Sequence, residues 1–250
     1  SLNITISLNI FNIYIQYMEN IYILVLFFIT LLFYNIYYAD NNRLIKIYKK
    51  PFIFNNFNYK YYHFYNRIFT IFNSSSKCIS LLDKFKISNN DSFLDVGSGN
   101  AYNLLYVNNK YKFKTIYGVD IDKNIYKSAK YNLSLIKSKK IINHNIDIIN
   151  YKIPSDVTYI YLFNPFAKQF YSKKIDNDEL DKYKQLIKNI KLSYKKNPRK
   201  ITIIFVNVKP GSDKKEDIFK LFSNNFELYE YNDISLNILL STKYAIFTLN

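Results

Sequence analysis

The residues best able to do chemistry are gathered in one stretch, Phe93-Leu94-Asp95-Val96-Gly97-Ser98-Gly99-Asn100-Ala101. An apolar run ends in an acid, two glycines follow, and a helix-compatible segment comes next. Gly97 and Gly99 carry no side chain and tolerate positive φ, so backbone there can approach a bound molecule closely. The helix that follows offers its free N-terminal N–H groups, which attract a carboxylate. Asp95, at the strand tip, can orient the turn or accept a hydrogen bond from a ligand ammonium. Half of the chain's four glycines fall in this single turn, which sets it apart from an incidental Gly-x-Gly.

A second acid follows in Ile116-Tyr117-Gly118-Val119-Asp120-Ile121-Asp122. Asp120 ends an apolar run and is placed to accept hydrogen bonds from both hydroxyls of a ribose. The alternative for Asp120 is a solvated carboxylate at a strand end. Asp122 is suited to cap a helix beginning near Lys123. A dinucleotide-binding turn would read G-x-G-x-x-G. Its third glycine would fall where Tyr102 stands, and no basic group in the turn awaits a pyrophosphate. NAD is therefore excluded.

Strands and helices must hold these motifs in place. Apolar runs of strand length occur at 92–96, 115–120, 145–150, 157–163 and 200–208. Helix-compatible stretches lie at about 77–85, 101–108, 123–137, 178–196 and 213–222. Such alternation implies βαβ crossovers and a mostly parallel sheet covered on both faces. The strand-like runs at 226–231 and 243–249 have no long helix between them, which implies an antiparallel edge.

Asp-Val-Gly-Ser-Gly (95–99) and Gly-Val-Asp-Ile-Asp (118–122) together resemble the first two motifs of class I S-adenosylmethionine-dependent methyltransferases. Asp147-Ile148 resembles the acid–apolar pair that flanks the adenine in that family. The run from Tyr159 to Phe166 resembles the fourth motif, where a strand ends beside the transferred methyl. The resemblance covers about residues 77–250 and implies an α/β, Rossmann-like sheet. That sheet would be seven-stranded and mostly parallel, with helices on both faces and an antiparallel C-terminal strand. It implies S-adenosyl-L-methionine as cofactor, held by Asp95, Gly97, Ser98, Gly99, Asp120, Ile121, Asp147, Ile148 and Phe163. It further implies in-line attack of an acceptor on the sulfonium methyl, with no covalent enzyme intermediate and no metal.

Two positions depart from the family pattern. Ala101 stands where the family has a third glycine. Asn164-Pro165-Phe166 resembles the Asn-Pro-Pro-Tyr/Phe motif of methyltransferases acting on planar amino or amide nitrogens, yet lacks one proline. In that motif the Asn oxygen and a backbone carbonyl accept from the target N–H groups. Asn164, Pro165 and Phe166 are accordingly the candidate catalytic residues. The alternative is that Asn-Pro simply ends the strand and turns the chain, with Phe163 and Phe166 as pocket walls. The acceptor stays open, a nitrogen being favoured: a protein lysine, an amide or a base amine.

Upstream, residues 21–34 carry neither a charge nor a helix breaker, and extension to Ala39 adds only Asn35 as a strongly polar residue. Nineteen such residues suffice to cross a bilayer core as a helix. Tyr22, Tyr34, Tyr37 and Tyr38 sit near the ends, where interfacial aromatics belong. A buried core helix is the alternative. Glu19 precedes the segment, whereas Arg43, Lys46, Lys49, Lys50 and Lys60 follow it. The positive-inside rule then expects a single-pass membrane protein with its C-terminal domain in the cytoplasm. The expected organisation is a hydrophobic segment (1–40), a juxtamembrane connection (41–76) and a methyltransferase domain (77–250).

Composition narrows the partners. At 49% hydrophobic the chain can fill a core. Cys78 is the only cysteine, which excludes an internal disulfide and a Cys-based zinc site. The two histidines, His63 and His144, show no metal-ligand spacing. A net charge of +16 attracts nucleic acid or anionic lipid. The crowding of Asn, Ile, Lys and Tyr is that of an AT-rich genome, however, and such bias can supply lysine without a function. Arginine, the better residue for phosphate forks, is rare. The reading is a membrane-anchored methyltransferase. Its alternatives are an inactive binding module of the same fold and a membrane-tethered RNA-binding protein with lysines clustered beside the pocket.

Overall fold

A computed structural model of the chain describes residues 18, 21–24, 28, 48, 76–163, 165–166, 177–208, 213–235 and 241–250. The chain divides into two units, Ser1–Arg43 and Leu44–Asn250. In the first, Met18, residues 21–24 and Phe28 are helical, and all six are exposed. Most of the expected spanning segment (21–39) and the basic residues 43–60 lie outside the described residues. Among the described residues no helix is long and apolar enough to cross a membrane.

In the second unit Tyr48 is helical, and a short helix, α1 (Ser76–Ile79), tightens into a 3₁₀ turn (Ser80–Lys84). There follow β1 (Ser92–Val96), α2 (Tyr102–Lys110), β2 (Thr115–Asp120), α3 (Lys123–Ser134) and β3 (Ile141–Asn145). Next come β4 (Val157–Phe163), α4 (Asn177–Lys196), β5 (Ile201–Val206), α5 (Asp213–Ser223), β6 (Glu227–Ser235) and β7 (Ser241–Leu249). The seven strands form one sheet in the order β3-β2-β1-β4-β5-β7-β6. The first five pair in parallel, and β7 runs antiparallel to both its neighbours. The α/β fold, the single mostly parallel sheet and the antiparallel closing strand are as the sequence implies.

One detail differs. The third strand is Ile141–Asn145, not 145–150. Asp147 stops any extension by turning its carboxylate onto the Ile149 N–H, which starts a 3₁₀ turn, Ile148–Asn150. The strand is legible only from its pairing, because an edge strand tolerates Asn143, His144 and Asn145. The antiparallel pair stands at the edge of the sheet, as expected. The later strand, β7, lies inside the sheet, and β6 forms the edge.

Side chains alternate between two covered faces. Phe93, Tyr159, Tyr161, Ile204 and Ile246 pack under the face that holds α1 and α2. Leu94, Val96, Ile160, Leu162, Phe205 and Phe247 pack against Tyr183, Leu186 and Ile190 of α4 and Phe222 of α5. This two-sided burial is why β1, β4 and β5 read as unbroken apolar runs. Tyr48 also packs on the first face, and its hydroxyl donates to the Leu105 carbonyl at 2.9 Å.

Arg199 ties the start of β4 to the end of α4. Its guanidinium donates to the carbonyls of Val157, Ser193, Asn197 and Pro154 and to the Ser193 hydroxyl. A lysine cannot reproduce that fork. Both Arg199→Lys and Arg199→Met are therefore expected to lose about 2 kcal/mol, because partly buried carbonyls lose their donors. Denaturant melts check this, and a lysine variant as stable as the parent would show that the fork is dispensable.

Candidate functional site

The parallel strands bring the four motifs to the carboxyl end of the sheet. The Gly97–Ala101 turn is fastened to β2 by hydrogen bonds from the Gly97 and Ser98 N–H groups to the Val119 carbonyl, both 2.9 Å. Gly97 (φ +81°) and Gly99 (φ +55°) adopt left-handed conformations, as does Ala101 (φ +71°). Alanine thus fills the family's third-glycine position at a cost of about 1 kcal/mol of backbone strain, its methyl fully buried.

Asp120 joins the turn to β2. One carboxylate oxygen accepts from the Gly99 N–H at 2.9 Å and the other from the Asp122 N–H at 2.8 Å. Burial raises its pKa, while those two backbone bonds oppose the rise. Asp122 caps α3 by accepting from the Asn124 and Ile125 N–H groups. From the end of β3, the Asn145 side chain donates to the Asp120 and Ile121 carbonyls, at 2.8 and 3.1 Å.

A cleft of about 300 Å³ lies here, bordered by Gly97, Asp120, Ile121, Asp147, Ile148, Pro165 and Phe166 among others. Seven residues singled out from the sequence therefore meet at one cavity. Phe166 is held against α4 by Tyr183, ring to ring at 4.7 Å, with a backbone hydrogen bond to the Tyr183 hydroxyl.

Other candidates are placed differently. Ser98 is buried and turned away, donating to Asn143 Oδ1 at 3.0 Å, so its side chain pins the turn to β3. Gly99 serves through its N–H to Asp120 and does not border the cleft. Phe163 packs on the α1/α2 face, opposite Phe166, so the two do not share a pocket wall. Asn164 lies outside the described residues.

Asp95 is buried beneath the turn and absent from the cleft lining. One of its oxygens has no hydrogen-bond partner among the described residues. Burial pushes its carboxyl up to about 7, with Asp120 adding to the rise and a hydrogen bond from Asn103 opposing it. The native state thus keeps a proton that the unfolded chain releases near pH ~4, so stability falls as pH rises from about 4 to 7. The expected loss is about 2–3 kcal/mol between pH ~5 and ~8, and Asp95→Asn should flatten it. Denaturant titrations at both pH values decide this; an unchanged slope in the variant would assign the effect to another group.

Sequence reasoning missed several contributors. Lys182 of α4 borders the cleft, paired with Asp178 at 3.0 Å, and nothing in its helical spacing announces that. Asn145 was hidden by the misplaced third strand. Asn132, fully buried on α3, donates to the Asn100 carbonyl at 2.9 Å. Gly118 is a further case: a Cβ there would stand 2.5 Å from Asn143 Oδ1 and 2.6 Å from Leu104 Cδ1.

A larger depression of about 790 Å³, bordered by Tyr48, Asn108 and residues 135–140, lies at the opposite end of the sheet. No motif residue touches it. Among the described residues no cluster of His, Cys, Asp or Glu could hold a metal.

No family model and no curated protein matches the sequence. Solved structures do match the fold. A SAM-dependent methyltransferase from Aquifex aeolicus is 11% identical with a TM-score of 0.52, over 70% of this chain and 90% of that one. Magnesium protoporphyrin IX methyltransferase from Synechocystis PCC 6803, with bound SAM, is 13% identical with a TM-score of 0.51, over 84% and 90%. At such identities the likeness is one of fold.

Proposed function

We propose that this chain, whose fold is that of class I S-adenosylmethionine-dependent methyltransferases, binds S-adenosylmethionine in the cleft at Gly97 and Asp120 and transfers its methyl. The observation that carries the reading is the Gly99 N–H to Asp120 bond, which makes the glycine turn and the ribose acid one unit. The residues also suit the cofactor chemically. Gly97 keeps its wall of the cleft free of a side chain opposite Pro165. Ile121 offers an exposed apolar surface for a base, and Asp147 and Ile148 border the same cleft.

Bound there, the cofactor supplies an electrophilic sulfonium methyl. Asp120 would hold the ribose hydroxyls, and Ile121 and Ile148 would sandwich the adenine, whose amino group Asp147 would receive. Phe166, braced by Tyr183, would screen the reacting end from water. Asn164 would accept from an acceptor N–H and so aim a nitrogen lone pair, catalysis being chiefly a matter of position. The exposed apolar helical residues at 21–24 and Phe28 favour anchoring through 21–39, and the basic residues Arg43, Lys46, Lys49, Lys50 and Lys60 favour a cytoplasmic domain.

Calorimetry on the full-length chain in detergent is expected to register S-adenosylhomocysteine binding, and preference for NADH would overturn the reading. Methyl-labelled cofactor incubated with cell fractions should label an acceptor. Asn164→Ala should then lower kcat by about 10²–10³ while leaving cofactor affinity unchanged, as for loss of one preorganised polar group. Normal turnover in that variant would make Asn164 a turn residue and end the preference for a nitrogen acceptor.

A further inference from the structure

Among the described residues of the second unit, exposed lysines gather at one end of the sheet. The loops that leave the parallel strands, at the cleft, carry Asp120, Asp122 and Asp147. The loops that lead into them are basic: Lys112 and Lys114 precede β2, and Lys137, Lys139 and Lys140 precede β3. Lys195 and Lys196, the last residues of α4, and Lys200 precede β5. All eight are exposed, and none is ion-paired among the described residues. Four strand spacings separate β3 from β5 in the sheet order, so the lysines spread over roughly 20 Å. Four acids among the described residues share this end, and each accepts hydrogen bonds: Asp83 from Lys110 and Tyr111, Asp91 from Ser88, Asp156 from Ser92 and Tyr117, and Glu227 from Thr248 and Asn250.

Tyr48 marks where the upstream chain meets this end. Its hydroxyl accepts from Asn108 at 3.0 Å, and Asn108 Oδ1 in turn accepts from Ser138 at 2.8 Å. Tyr48 borders the same depression as Lys137, Lys139 and Lys140. Only nine residues run from Ala39 to Tyr48. Fully extended, such a length spans about 30 Å at most.

We propose that this lysine-bearing amino end of the sheet docks on the anionic headgroup layer of a bilayer, leaving the cleft facing away from the membrane. The tether rests on the proposed anchor at 21–39; the basic face stands without it. Lysines near an anionic surface bind it in a salt-screened manner that fades within a Debye length, so a short tether is what makes them count. These eight charges lie at the end away from the cleft, so they would not hold an acceptor seated there.

The test is lysine acetylation footprinting of the full-length chain with phosphatidylcholine vesicles, with and without about one-third phosphatidylserine. Retention on pure phosphatidylcholine through a carbonate wash reports the anchor. Phosphatidylserine should then shield Lys137, Lys139 and Lys140 several-fold, reversibly in high salt, while exposed Lys123 beside the cleft is unaffected. A Lys137→Glu/Lys139→Glu/Lys140→Glu variant should lose that phosphatidylserine-dependent component about tenfold or more and keep S-adenosylhomocysteine binding. Salt-sensitive shielding without carbonate-resistant retention would support docking and end the anchor. Retention without shielding would overturn docking and leave the anchor standing. Shielding by a short RNA but not by phosphatidylserine would overturn the lipid assignment in favour of nucleic acid.

Discussion

Replacing Asp120 with Ala is expected to weaken S-adenosylhomocysteine binding by a factor of about 100 or more. Two losses combine. The ribose hydroxyls lose a charged acceptor, and such charge-assisted bonds contribute about 1.5–3 kcal/mol each. The Gly99 N–H, now bonded at 2.9 Å, also loses its partner, so the turn that shapes the cleft is no longer fixed. Asp120→Asn keeps the shape but must turn an NH₂ group toward either the Gly99 or the Asp122 N–H. It should fall between the parent and the alanine variant. Calorimetry with folded variants measures all three; an alanine variant within threefold of the parent would place the ribose elsewhere.

Gly118→Val is expected to destabilise the domain by more than about 3 kcal/mol, and Gly118→Ala by about 2–3 kcal/mol. The added Cβ meets Asn143 Oδ1, Leu104 Cδ1 and Ser98 Cβ at 2.5, 2.6 and 3.0 Å. None can retreat cheaply: Leu104 is fully buried and Asn143 Oδ1 holds the Ser98 hydroxyl. Restricting the unfolded chain by replacing glycine would stabilise by only about 0.4–1 kcal/mol, so the clash wins. Because Ser98 belongs to the turn, cofactor affinity should fall along with the denaturation midpoint. An alanine variant that melts with the parent would show that α2 and β3 can part at little cost.

The glycine turn, Asp120 and the alternation of strands and helices were legible because each is a local pattern. Phe93, Leu94 and Val96 must be apolar to lie inside a parallel sheet, and Gly97 and Gly99 must lack side chains where φ is positive. What escaped depends on pairing across the chain. The edge strand β3 reads as polar because one flank and much of its surface meet water. The roles of Asn145, Asn132 and Lys182 exist only once β3, α3 and α4 are placed against the turn. Phe163 and Phe166 read as a pair, yet strand alternation sends Phe163 to one face and the turn sends Phe166 to the other.

The insertion of β7 between β5 and β6 also constrains the order in which the protein can be made. A ribosome releases β6 before the strand that must lie between it and the rest of the sheet. Until residues 241–249 emerge, β6 has no strand to pair with, and β5 presents an unpaired edge formed of Ile201–Val206, every residue of which is buried in the finished fold. Such edges recruit other chains. A nascent polypeptide stalled before β7 would therefore be a client for chaperones, whereas the completed one would bury that edge in a single docking step.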